Sequence, residues 1–292
     1  MALGSLQHYN RIINITLTDN EGKSVRIECP KRGRKPTIEM NGSFTTDSYL
    51  PAFNVTVKNI YLNMTTRQWA TIQLEAGYEG CLIPIKGQIL SLYQESPGPE
   101  GTTVIQCVQG EAKSWLDTTI QVDFPAGTNL FKILTTYKSK LGLKRLRATK
   151  VAQFTITEQY QHDGSVRDGL KKLEKMFEND KLCIFVRSDE LCAICLGEDD
   201  CIRVHKLEYI SAPPQENAGG SDGTYYTTVT APWDPKIQKG DKLQIPSRVY
   251  IRNYNLVGNL SGTQNIQVTA LSFHFSTTGK ANSMTVQGFL VR

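Results

Sequence analysis

Apolar and polar positions alternate along most of the chain. Ile13, Ile15 and Leu17 alternate with Asn14 and Thr16, and a turn follows at residues 19–22 before Val25 and Ile27 resume the pattern. Phe53, Val55 and Val57 repeat it, as do Ile72, Leu74 and Ala76. A period of two gives each strand one buried and one polar face. Residues 11–111 therefore read as an all-β domain of short strands, a barrel or a sandwich.

The middle of the chain changes period. Leu130, Ile133, Leu134, Tyr137 and Leu141 share one helical face, with Gly142 placed as the stop. A second helix is predicted from the N-cap Ser165, with Asp168 completing an approximate capping box and Val166, Leu170, Leu173 and Phe177 forming its apolar stripe. Two strands follow, Leu182–Val186 and Leu191–Leu196, joined by a turn at Arg187–Glu190. After a Pro/Gly-rich loop over Ser211–Gly223 the chain returns to β. Strands are predicted at Tyr225–Val229, Lys242–Ile245, Val249–Ile251, Gln264–Ala270 and Ser283–Val291. The fold class is thus mainly β with a small α+β unit. The expected domains are 1–124 (β), 125–206 (α+β) and 207–292 (β).

Composition narrows the function classes. A chain of 292 residues can bury a core, and 21% charged residues is ordinary for a folded protein. No apolar run approaches the ~20 residues of a membrane helix, so no membrane insertion by this chain is expected. The start MALGSLQHYN lacks the basic and apolar regions of a signal peptide. With no export signal, seven cysteines, an odd number, point to free thiols in a reducing compartment.

Three pieces of chemistry compete with simpler readings. Cys192-x2-Cys195, near Cys183, Cys201 and His205, has zinc-like spacing. Both cysteines lie in one apolar strand, where i and i+3 face opposite ways, which favours buried structural thiols. Gly219–Gly223 matches G-x-S-x-G around Ser221, yet a Pro-rich loop precedes it and a strand follows, whereas a nucleophile elbow needs strand then helix. The acidic run Glu198–Asp200 reads as a solvated turn. His8, His162, His205 and His274 join no nucleophile–base set. No P-loop or dinucleotide fingerprint occurs, so neither a cofactor nor catalysis is expected.

Charge is distributed unevenly. One basic run holds Lys31, Arg32, Arg34 and Lys35, in an expected hairpin loop. The other extends from Phe124 to Thr157 without an acid and holds Lys132, Lys138, Lys140, Lys144, Arg145, Arg147 and Lys150. These runs carry eleven positive charges, so the rest of the chain nets −6 against the whole-chain +5. Such runs are solvated faces, phosphate-binding patches or contacts for acidic proteins. No nucleic-acid-binding module accompanies them.

Order and spacing carry a family resemblance. The stretch Leu74-Glu-Ala-Gly-Tyr78 followed by Leu82-Ile-Pro-Ile-Lys-Gly-Gln-Ile89 resembles a segment of baseplate hub proteins from contractile phage tails and phage-like particles. These form the late control protein D group, related to the hub part of type VI spikes. Phe124–Leu134 is similar to the helix entry after their first tube-like domain, and Ser165–Phe177 to their next helix. Ala231–Ile245, with Lys239-Gly240-Asp241, resembles the strand entry of their second tube-like domain, and His274–Val291 their closing hairpin.

The resemblance implies two tube-like β-barrel domains per chain and a homotrimer closing a pseudo-sixfold ring. The implied function is a structural hub that adapts the hexameric tail tube to the threefold central spike, with a lumen for DNA or tape-measure protein. Implied partners are further copies of itself, the tail tube protein, the central spike protein, and the tape-measure protein and DNA in passage. The implied location is the virion tail baseplate, assembled in the bacterial host cytoplasm. With no lysozyme domain or needle in this sequence, spike and cell-wall cutting fall to other proteins. Both basic runs are expected to face neighbouring proteins, not the lumen. A type VI or extracellular contractile injection spike, a β-barrel nucleic-acid-binding module and a Ser221 hydrolase are the alternatives.

Overall fold

The computed structural model describes residues 10–29, 36–45, 49, 51–58, 68–95, 101–110, 118–148, 150–187, 189–198, 200–207, 209–211, 214–218, 225–245, 250–251, 263–278 and 282–291. The first β region contains β1 (Arg11–Asp19), β2 (Ser24–Ile27), β3 (Thr37–Phe44), β4 (Ala52–Lys58), β5 (Trp69–Tyr78), β6 (Cys81–Gln94) and β7 (Thr102–Gln109). Ile13, Ile15 and Leu17 on β1, Val55 and Val57 on β4, and Ile72 and Leu74 on β5 are all buried, as the alternation requires.

The α+β unit follows with β8 (Thr119–Phe124), α1 (Leu130–Lys140), β9 (Arg145–Arg147), a 3-10 turn (Lys150–Gln153), β10 (Tyr160–Ser165), α2 (Val166–Met176), β11 (Leu182–Arg187) and β12 (Glu190–Cys195). Leu130, Ile133, Leu134 and Tyr137 form the buried stripe of α1. Asn129 caps that helix by accepting from the Phe131 amide at 2.8 Å. Ser165 caps α2, accepting from the Asp168 amide at 3.1 Å while donating to its carboxylate at 2.7 Å. β8 pairs along its whole length with β10, and Ile120 and Val122 pack with the two helices. β8, within the expected first domain, thus packs with the α+β unit.

The second β region comprises β13 (Val204–Lys206), β14 (Tyr209–Ile210), β15 (Gln215–Ala218), β16 (Tyr225–Ala231), β17 (Lys242–Ile245), β18 (Tyr250–Ile251), β19 (Gln264–Ser276) and β20 (Asn282–Val291). β19 is nearly twice as long as its alternation predicted. A bulge between Val268 and Ala270 moves the buried positions from even (Ile266, Val268) to odd (Leu271, Phe275), which breaks the apparent period.

That hidden continuation joins the molecule. Leu271–Ser276 of β19 pairs antiparallel with β3, so one sheet runs β15-β16-β20-β19-β3-β4-β7-β6-β5-β1-β2, with β13 and β17 attached beside β19. The buried side chains of both β regions form one cluster, with Ile13, Leu74 and Ile105 from one and Ile266, Phe275 and Met284 from the other. The seam is tight at Gly42, where a Cβ would stand 2.8 Å from the Phe273 ring. The order also corrects the expected hairpin around Lys31–Lys35. Among the described residues β2 ends the sheet and pairs only with β1, whereas β3 lies between β4 and β19. The run itself lies outside the described residues.

Candidate functional site

Three segments meet at the Lys239-Gly240-Asp241 turn that feeds β17. Gly240 has φ +84°, and a Cβ there would stand 2.6 Å from the Phe185 ring, so backbone and packing both require glycine. The turn presents the Asp241 carboxylate, fully buried, to Arg187 at the end of β11. Arg187 grips it with two nitrogens: Nη1 donates to Oδ1, and Nη2 to Oδ2 at 3.1 Å. His205 Nε2 lies 3.0 Å from Oδ2, and the Gln238 amide donates to the same oxygen at 3.0 Å. Lys239 is buried too, with Nζ 5.1 Å from the Phe185 ring centre and 3.4 Å from the Thr45 carbonyl of the first β region.

Further contacts fix the same docking. The Val186 amide donates to the Tyr49 carbonyl at 2.9 Å. Gln267 on β19, fully buried, accepts from the Gly197 amide at 2.8 Å and donates to the Cys195 carbonyl at 2.9 Å. Asp200 is buried beside it, accepting from the Cys195 amide at 3.3 Å. The acidic run is therefore not a solvated turn throughout, because Asp200 closes it onto β12. Such satisfied buried networks hold elements in one arrangement. Here they fix the α+β unit to the large sheet.

The second basic run is largely matched by acids the chain supplies later. β9 pairs parallel with β12, placing Arg145 opposite Glu190 and Arg147 two residues further on the same face. Arg145 and Arg147 both lie 3.4 Å from the Glu190 carboxylate, which is buried. Lys144 pairs with Asp189 at 3.2 Å and Lys150 with Glu198 at 3.1 Å. Lys138 and Lys140 occupy the last turn of α1, where positive charge suits the helix dipole. Neither is in an ion pair among the described residues.

The other sequence candidates separate. Cys183 and Cys192 lie in one buried cluster and Cys195 in another, on opposite faces of the β11–β12 hairpin. Burial alone pushes the Cys107 thiol up to about 12, and burial is the main reason Cys192 and Cys195 rise to the same value. Among the described residues no group of three metal-ligating side chains converges. His162 bonds the Ser165 carbonyl region at 2.8 Å and so braces the α2 cap. Ser221 lies outside the described residues. The Arg187–Asp241 pair and the Glu190 cluster had no motif in the sequence, since their partners are far apart along the chain.

No protein-family model matches the chain, and no curated protein matches it significantly. Solved structures do. The tail protein from Neisseria meningitidis MC58 aligns with TM-score 0.58 and 9% identity over 95% of this chain and 96% of that one. The chain has a phage-tail-protein fold. The 43 kDa tail protein of prophage MuSo2 from Shewanella oneidensis gives TM-score 0.56 and 10% identity over 96% of each chain. The E. coli c3393 protein gives 0.58 and 7% over 89% of this chain and 75% of that one. It is described as a type VI secretion component structurally similar to the T4 bacteriophage tail proteins gp27 and gp5. No helix among the described residues is long and apolar enough to cross a membrane.

Proposed function

We propose that the protein is the structural hub of a phage-type contractile tail baseplate. Three copies close a pseudo-sixfold ring that joins a hexameric tail tube to a threefold central spike and leaves a lumen for DNA or tape-measure protein. The observation carrying this reading is the sheet that β19 continues from the second β region into the first. One chain thereby presents two adjoining β regions on a continuous sheet, which suits two neighbouring positions in a tube wall. Among the described residues its outer strands are β2 and β15, whose hydrogen-bonding edges ring closure would cover.

The two β regions would act as the tube-like β-barrel domains of the ring, and the α+β unit would reach neighbouring baseplate proteins. The role is mechanical and not catalytic. Within the second basic run, the contact with those proteins narrows to Lys132, Lys138 and Lys140, because Lys144, Arg145, Arg147 and Lys150 already have carboxylates. Lys31, Arg32, Arg34 and Lys35 are proposed as a second contact. A nucleic-acid-binding module is disfavoured, since ion-paired Lys and Arg release few counterions on meeting phosphate.

Electron microscopy of the protein mixed with its tube and spike neighbours tests the assignment. The expected particle is a ring of three chains with an open centre. A protein that stays monomeric in that mixture at high concentration overturns it.

A further inference from the structure

Two rows of side chains cross the large sheet without an Asp, Glu, Lys or Arg. Ser283, His274, Asn41, Asn54, Gln106 and Ser91 stand opposite one another in register on β20, β19, β3, β4, β7 and β6. On the same strands Thr285, Ser272, Ser43, Ala52, Val108 and Gln88 form the next row. Alternate residues of these strands, Met40, Val55 and Ile105 among them, fill the core, so both rows lie on the sheet's other face. Asn41, Ser43, Ala52, Ser272, His274 and Ser283 are exposed there. The rows pass unbroken over the β3–β19 seam and so belong to both β regions.

Charge is present on the rest of the sheet. Tyr78 at the end of β5 packs edge-on against Phe275 of β19, ring centres 5.8 Å apart, and accepts from Asn282 of β20 at 2.6 Å. β5 thus folds back over the core, with β1 and β2 beside it. On this returning layer Arg26 pairs with Glu75 at 3.1 Å and with Glu28 at 2.7 Å. The rows themselves are bordered by Lys86 of β6 and by Glu39 and Lys58, which pair with each other at 2.8 Å. Within the rows, polar groups bond sideways. The Ser91 hydroxyl donates to Gln106 Oε1 at 2.6 Å, and Asn54 Nδ2 to Asn41 Oδ1 at 3.4 Å. Solvated faces ordinarily mix both signs of charge, so contact with water alone does not account for these rows.

We propose that this face is the wall of the lumen and that it meets DNA in transit without ionic grip. The proposal rests on the hub reading. Lys or Arg on such a wall would exchange counterions for phosphate contacts and hold a polyanion, and Asp or Glu would repel it. Short hydroxyl and amide side chains do neither. Their continuity over the seam gives the two β regions of one chain a common wall.

The test uses Ser43→Cys and Ser272→Cys, which barely change side-chain size, each in a background where the exposed Cys81 is Cys81→Ser. Thr119→Cys, at an exposed position of β8, is the control. Each variant is assembled with its tube and spike neighbours, then labelled with a maleimide-gold cluster and imaged by electron microscopy. Gold is expected inside the ring for the two sheet variants and outside it for the control. Gold outside the ring at the sheet positions, or thiols there that take no label in formed rings, overturns the lumen wall and leaves the hub standing. Wild-type protein that forms no ring overturns the hub reading, and this proposal with it. A second measurement adds charge. Rings of Ser43→Lys/Ser272→Lys should bind a fluorescein-labelled DNA duplex about tenfold or more tightly than wild-type rings at low salt, and lose the gain as salt rises. Rings of Thr119→Lys should gain less, and equal gains overturn the proposal. Rings lost in the double lysine variant and kept in its control would make the face a contact between subunits, which overturns it too.

Discussion

At the scale of single residues, the most consequential group is the Asp241 carboxylate. It is fully buried, and Arg187 is nearly so. Removing one partner strands the other charge without water, so Arg187→Met or Asp241→Leu alone should cost about 3–5 kcal/mol in urea denaturation. The double variant should recover much of that loss, because replacing both charges with apolar groups of similar size leaves none unpaired. The thiols give a second expectation. Cys107, Cys192 and Cys195 are buried, and their pKa values rise from 9.0 to about 12. A raised folded-state pKa keeps its stabilising contribution below the unfolded value of about 9 and loses it as pH climbs towards 12. Stability should therefore decline over that interval. Iodoacetamide at mildly alkaline pH should label the exposed Cys81 first, read by peptide mass spectrometry.

At the scale of elements, the β3–β19 seam and the two helices behave differently. Gly42 has the Phe273 ring and the Ala52 carbonyl within 3 Å of where a Cβ would sit. Gly42→Val should destabilise the protein by about 1–3 kcal/mol through overpacking, seen as a lower melting temperature. Ser165→Ala should cost about 1 kcal/mol by the same measurement, the usual loss for an N-cap. The helices were legible in sequence because a cap and an apolar stripe are local signals. Ser165, Asp168 and the stripe from Val166 to Leu173 all sit within three turns. The far half of β19 was not legible as strand, because a one-residue bulge reverses which side chains point inward.

At the scale of the whole molecule, the +5 charge resolves into paired and unpaired parts. Lys144, Arg145, Arg147 and Lys150 are held by Asp189, Glu190 and Glu198, which follow about forty residues later. Consecutive positive charges in the chain thus become part of an ion-pair network in the fold. On the proposed reading, Lys138→Gln/Lys140→Gln should cost no more than about 1 kcal/mol of stability in urea denaturation, the loss of two favourable helix-dipole contacts. Co-assembly with neighbouring baseplate proteins should fall, measured by co-sedimentation. Unchanged co-assembly would exclude α1 as the contact.

The sequence by itself determined which side chains go inside, where the two helices begin, and that Cys192 and Cys195 face opposite ways. Each of these follows from a period or a cap spanning a few residues. Tertiary structure alone decided that β19 joins β3 and that Arg187 closes on Asp241. It also set Glu190 between two arginines. A strand's period specifies its buried face and not its neighbour, and a charge in a sequence carries no mark of its partner. Register and docking supply both.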